Sequence, residues 1–265
     1  MGRTKEIDKG KVEDGIIEIT LTHWKHFPKL ITRDLLNFPS YIFRGQSRYN
    51  WKLESSFDRL SKSKKIKNPN LSQHLNAFKN ASKGRRGKNP QELKSDNEWW
   101  ALAQHYGLVT PLLDFTRSAF VALYFAFWDE SDNGKNRVVY ALHGHNLQKK
   151  MDELEEEDEK VELFYPSSDG NERLISQSGL FMKLPVNSNF EQIIKTNFKN
   201  YNRAILIKIK IPNTDVKDCL IMLNRMNINH STLFPDLYGA AKFVNCLFDK
   251  PRYDYIGNLN ITIPE

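Results

Sequence analysis

Three short runs combine reactive groups with apolar stretches able to hold them in place. Tyr41-Ile42-Phe43-Arg44-Gly45-Gln46 sets a permanent cation beside a glycine at the end of an apolar segment. A guanidinium presents a fork of donors suited to two phosphate oxygens, and glycine admits a close backbone approach, so Arg44 and Gly45 together fit an anion anchor. His105-Tyr106-Gly107-Leu108 supplies an imidazole that titrates near neutral pH and can act as a base or donate to a ribose hydroxyl. Leu112-Leu113-Asp114-Phe115-Thr116 adds a carboxylate and a hydroxyl ahead of an apolar helix. Gln46 and Gln177 are uncharged and suited to orienting a substrate rather than moving its protons.

Each group also has a structural role open to it. Arg44 can form a buried ion pair with Asp114 or Asp236. Asp114 can cap the helix that follows, where a carboxylate also meets the positive end of the helix dipole. His105 can bond a nearby carbonyl, the glutamines can satisfy backbone groups, and Asp236 after Pro235 reads as a helix start. Gly239 reads as a packing position, since no glycine-rich phosphate loop surrounds it. Of Trp99 and Trp100, one reads as core and the other as half exposed, with base stacking as the alternative.

The elements that must position these groups alternate irregularly. Residues 15–21 read as a strand, and Thr22 as the cap of a helix carrying Trp24, Phe27, Leu30 and Ile31, bent at Pro28. Residues 42–43, 137–142, 173–175, 180–182 and 203–211 read as strands, and residues 97–106, 118–127, 216–226 and 237–248 as helices. The helix over 118–127 starts from Asp114-Phe115-Thr116 in this reading. Such an order does not suit a doubly wound parallel sheet, and the expected fold is α+β, with a mixed central sheet and flanking helices. The expected organisation is an N-terminal strand-helix element over 1–40, one domain over 41–248 with a Lys-rich insertion at 61–96, and a tail or edge strand over 249–265. That insertion, with one amphipathic run at Leu71, Leu75 and Phe78, is expected to be the least ordered part, with little core of its own.

Charge and composition narrow the function classes. The net charge is +7 and apolar residues make up 40% of the 265, enough for a substantial core. Lysines and arginines crowd between Lys62 and Lys88, which either contact phosphates, with strong salt dependence, or form a solvated surface. The acidic run Asp152 to Glu159 reads as the end of an exposed helix. No stretch approaches the roughly 18 apolar residues of a spanning helix, and the charged start lacks a signal-peptide core, so no membrane association and a cytoplasmic location are expected. The two cysteines, Cys219 and Cys246, lack metal-ligand spacing and read as core fillers. His143-Gly144-His145 reads as a strand-ending turn, and no metal site, nucleophile elbow or phosphate-binding loop stands out.

The ordered blocks resemble FRG domain proteins. The match runs through Phe43-Arg44-Gly45-Gln46 with Trp51, Gln104-His105-Tyr106-Gly107-Leu108 with Thr110, and Leu112-Leu113-Asp114-Phe115-Thr116 leading into Ala122-Leu123-Tyr124-Phe125-Ala126. It continues through Gln177-Ser178-Gly179-Leu180-Phe181 and Leu233-Phe234-Pro235-Asp236-Leu237-Tyr238-Gly239. This resemblance implies a bacterial or phage effector.

A second, more distant resemblance is to ADP-ribosyltransferases of the arginine–serine–glutamate kind, and it implies a split sheet and the use of NAD. Carried over, Arg44 would hold the NAD phosphate and ribose, and Thr116 with Ser118 would brace the nicotinamide side. The position of the glutamate falls on Arg173, with Glu172 beside it on the opposite face of a strand. The expected protein is an NAD-binding toxin or phage-defence component acting on nucleic acid or protein. Arg44, Gly45, Gln46, Thr116, Ser118 and Arg173 would hold the nucleotide, with His105, Asp114 and Gln177 at the reaction. The alternative is a non-catalytic nucleic-acid or nucleotide-binding module whose affinity comes from the Lys-rich insertion. A regulatory partner protein is a further expectation.

Overall fold

The computed structural model describes residues 6–129, 134–155, 160–166 and 172–249. Its centre is an eight-stranded mixed sheet in the order β1-β2-β8-β5-β3-β4-β7-β6. The strands are β1 (Ile7–Lys9), β2 (Ile16–Leu21), β3 (Tyr41–Gln46), β4 (Leu112–Thr116), β5 (Asn136–His143), β6 (Glu162–Phe164), β7 (Gly179–Lys183) and β8 (Leu206–Pro212). All neighbours run antiparallel except β2 and β8. With its flanking helices, this is the α+β architecture expected.

Strand composition follows position. Residues 137–142 of β5 are buried on both faces, and this strand lies mid-sheet between β8 and β3. In β8, Ile207, Ile209 and Ile211 face one core while Lys208 and Lys210 point the other way, the period of two that a strand imposes.

The helices are α1 (Phe27–Leu30), α2 (Ser56–Ser63), α3 (Leu71–Ala81), α4 (Asp96–His105), α5 (Ala119–Phe127), α6 (Gly144–Asp152), α7 (Glu172–Ser176), α8 (Phe190–Asn197), α9 (Val216–Arg225), α10 (His230–Leu233) and α11 (Leu237–Asp249). One sheet face packs on α5, α9 and the segment around α1; the other packs on α6 and α8. Helix α5 is apolar nearly all round because it lies against β3, β5 and α9 at once. It can lie so close to β3 only because position 45 lacks a side chain: a Cβ on Gly45 would fall 1.9 Å from the carbonyl oxygen of Ala122. Gly45 therefore gives its close approach to α5.

Several local expectations change. Residues 173–175 lie in helix α7, not a strand, so Glu172 and Arg173 follow one another around a helical turn. Residues 114–116 belong to β4, paired with β7, and α5 begins only after Ser118, whose hydroxyl accepts from Val121 N. Asp114 is therefore not a cap: a strand pairing partner claims its backbone first. His23, not Thr22, caps the first helical turn by accepting from Lys25 N, while the Thr22 hydroxyl donates to the Glu6 carbonyl.

The interval 61–96 includes α3, whose Leu75 is 1% exposed and joins Trp100, Leu112 and Phe181 in a third cluster. Burying one such leucine is worth about 1.5–3 kcal/mol, so this stretch does contribute core. Trp100 is buried, while Trp99 is half-buried beneath Lys79 and Arg86. Cys219 is buried in the core. The Cys246 side chain, residues 156–159 of the acidic run and the tail from 250 onward lie outside the described residues.

Candidate functional site

The site forms where the sheet nearly comes apart. β3 follows β5 along its whole length and β4 follows β7 along its own, yet β3 and β4 pair at a single position, Phe43 with Thr116. Five strands lie to one side of that joint and three to the other. Beside it opens a cavity of about 900 Å³, lined from β3, β4 and β7 and from the helices around them. This lies within the roughly 300–1,000 Å³ usual for small-molecule sites.

Arg44 bridges the parted strands. Its Nη1 donates to the Asp114 carbonyl at 2.7 Å and stands 3.7 Å from Asp114 Oδ2, while Nε is buried with no partner among the described residues. Burial lowers the pKa of the guanidinium, helped by Arg59 nearby and opposed by Asp114, but an arginine remains charged. Gln46 also lines the cavity, and its Oε1 is buried without a partner among the described residues. Orphaned buried polar atoms cost about 1–3 kcal/mol each, so native structures keep few of them away from functional sites.

Asp114 projects its carboxylate into the cavity, its side chain 62% exposed. One oxygen is held by Gln104, whose Nε2 donates to Oδ1 at 2.6 Å, and the Thr110 hydroxyl donates to the other end of that amide. Such a chain fixes which way the amide and hence the acid face. His105, on the last turn of α4, lines the same space. Burial and then the charge of Arg173 lower its pKa, against the opposing pull of Asp236. Its imidazole is thus neutral near pH 7 and able to accept a proton.

The wall on the other side of β4 is stitched by polar side chains. Thr116 Oγ1 donates to the Gln177 carbonyl at 2.6 Å and accepts from Ser118 N at 2.9 Å, and Gln177 Nε2 donates to Leu233 O at 3.0 Å. Arg173 pairs with Asp236, which also accepts from Gly239 N at the start of α11. That backbone donor, then Arg173, holds the Asp236 carboxyl below its ordinary range. A Cβ on Gly239 would lie 1.8 Å from the Phe234 carbonyl, in keeping with a packing role.

Arg44, Gly45, Gln46, His105, Asp114, Thr116, Arg173 and Gln177 therefore all line one cavity. Ser118 is not among its lining residues and caps α5. Glu172 is exposed and also outside the lining. Guanidinium, imidazole and glutamine, distant in sequence, do meet.

The cavity also holds residues that sequence reasoning passed over, among them Lys52, Glu54, Arg59, Trp128 and Asp129. Lys52 and Glu54 sit between β3 and α2, and Glu54 is paired with Lys62 while its carbonyl accepts from Arg59 Nη1 at 2.6 Å. A signal for this stretch was present: Ser55-Ser56-Phe57-Asp58 has the spacing of a capping motif, and Ser55 does cap α2. Reading it would have started a helix at the cavity edge and brought Arg59 alongside Arg44. Four cations and three carboxylates line the space, and one of each is already tied to a partner beyond it: Arg173 to Asp236, and Glu54 to Lys62.

Among the described residues no helix is long and apolar enough to cross a membrane, and no cluster of three or more His, Cys, Asp or Glu residues could hold a metal. No curated protein and no solved structure matches the chain. A family model for the FRG domain matches residues 39–135, a span that supplies Arg44, Gln46, Gln104, His105, Asp114 and Thr116 to the cavity. Residues 39–135, which supply most of the polar groups of this cavity, therefore match the FRG domain.

Proposed function

We propose that the cavity binds an anionic nucleotide, NAD, and that the protein is an ADP-ribosyltransferase-like effector of the toxin or phage-defence kind, acting in the cytoplasm on a nucleic acid or a protein. The observation that carries this reading is the cation set of Arg44, Lys52 and Arg59 on one cavity of dinucleotide size. A guanidinium fixed between two strands costs no reorganisation when a phosphate arrives, and in a partly enclosed space its attraction is stronger than in water. Gln46 and the amide of Gln177 line the same space and offer neutral groups for orientation.

Asp114 takes the carboxylate role in this reading. Its side chain is exposed at the cavity and its orientation is fixed by Gln104, whereas Glu54 is held by Lys62 and Glu172 lies elsewhere. A carboxylate so placed stabilises the positive charge that grows on the ribose carbon as its bond to nicotinamide breaks, and neutral His105 accepts the proton of the incoming nucleophile.

Calorimetry with NAD, followed by incubation with a biotinylated analogue, tests the reading. NAD binding that disappears in Arg44→Ala, with label transferred to an acceptor by the wild type and not by Asp114→Asn, is the expected result. The exposed lysines on α2 and the loop after it favour a second reading, a nucleic-acid-binding module. Salt-sensitive RNA or DNA binding that survives Arg44→Ala and fails when the charges between Lys62 and Lys88 are removed would favour that reading instead.

A further inference from the structure

Helix α5 is buried along its length, yet the residue that follows it, Trp128, is 41% exposed and lines the cavity. It belongs to a continuous aromatic wall. The His230 ring lies 5.3 Å from Trp128 and is stacked on Phe234 at 4.4 Å, and Phe125 meets Phe234 edge-on at 6.1 Å. Phe125 and Phe234 line the cavity too.

The wall is backed by a buried support. His230 is 3% exposed, its Nδ1 shares a hydrogen bond of 3.0 Å with the Tyr124 hydroxyl, and its Nε2 is buried with no partner among the described residues. Arg173 lies over the Phe234 ring at 5.3 Å and is held by Asp236. Three elements, the end of α5, α7 and α10 with the residue after it, thus hold aromatic surface at the cavity, with Phe125 and Phe234 also packed on the core behind it. Exposed aromatic surface costs free energy unless something covers it.

We infer that the Trp128–Phe234 wall is a stacking subsite for the aromatic heterocycle of the nucleotide, with His230 as the positioning residue beneath it. This rests on the nucleotide reading above and adds which surface recognises the base. Phosphates meet the Arg44 and Arg59 side of the cavity, and the ring lies against Trp128. Adenine and nicotinamide share the chemistry needed, a flat π-face, so either half of the dinucleotide satisfies the wall.

The test is calorimetry on the full chain with three probes, AMP, nicotinamide mononucleotide and inorganic pyrophosphate, against wild type, Trp128→Ala and Trp128→Phe. Trp128→Ala should weaken one of the two mononucleotides by about tenfold or more and leave pyrophosphate unchanged, because one base stack is lost and no charge is. Trp128→Phe should recover most of that loss, which excludes misfolding as the cause. The mononucleotide that responds identifies the base. Unchanged affinity of both mononucleotides in Trp128→Ala overturns the stacking subsite while leaving the anion site standing, as does a wild type that binds pyrophosphate alone. A wild type that binds none of the probes and no NAD overturns the nucleotide reading and this inference with it.

Discussion

Replacing Arg44 by methionine distinguishes a ligand-binding guanidinium from a structural one. Among the described residues the Arg44 guanidinium makes one hydrogen bond, to the Asp114 carbonyl, and a looser contact with a carboxylate that is mostly in water. The bond is worth about 1.5–3 kcal/mol as a charge-assisted one, and the screened contact about 0–1 kcal/mol. Against these stands the buried unpartnered Nε, which costs about 1–3 kcal/mol and vanishes with the substitution. With each contribution at the middle of its range the net loss is about 1 kcal/mol, or a melting temperature lower by roughly 2–4 °C for a chain of this size.

Arg137 provides the contrast. It is fully buried, and its guanidinium donates to Asn213 Oδ1 at 2.9 Å, Ser47 O at 3.0 Å and Asp129 O at 3.1 Å. Arg137→Met withdraws a donor from all of these acceptors at once and should cost about 3–4 kcal/mol, near 6–16 °C. Differential scanning calorimetry on both variants, with NAD titration of Arg44→Met, gives the answer. Arg44→Met should melt close to wild type and lose NAD affinity. Melting as low as Arg137→Met, with NAD binding intact, would refute the reasoning and make Arg44 part of an internal network.

Other consequences follow from the packing and from the titratable groups. Gly45→Ala places a methyl 1.9 Å from the Ala122 carbonyl and 2.7 Å from the Ala126 nitrogen, both backbone atoms that can move only if α5 leaves β3; a loss of about 3 kcal/mol or more is expected in urea denaturation, and a cost below about 1 kcal/mol would refute the contact. Burial lowers the pKa of His105, His143 and His230, so below the ordinary histidine value of about 6.5 the unfolded chain binds more protons than the folded one. Stability should be full above that pH and decline as pH falls through it, and a melting temperature that holds or rises between pH 7 and 5 would contradict the assignment.

Much of the site was legible because its residues sit at the ends of strongly patterned segments. The alternation in β2 and β8, the apolar run of β5 and the spacing of α5 each have one dominant period, so local sequence settles their type. His105 on the last turn of α4 follows directly from that pattern, whereas Arg44, expected at the end of a strand over 42–43, lies inside β3, which runs on to Gln46. Arg173 and Asp114 were misplaced for opposite reasons. Residues 173–175 are a short apolar run for which periodicity cannot separate helix from strand, and Asp114 has the composition of a cap but a pairing partner in β7 that no local rule reveals.

By itself, then, the order of residues determined the fold class, the FRG-domain match over residues 39–135 and the identity of most polar groups around the cavity, since each depends on local pattern or motif. Only the tertiary structure decided how those groups are used. That Gly45 admits a helix, that Asp114 is turned by Gln104, that Arg59 stands beside Arg44 and that Trp128 faces the cavity all follow from segments far apart in the chain packing against each other. The physical reason is that close packing is a property of pairs of surfaces, and a single segment carries only one side of each pair.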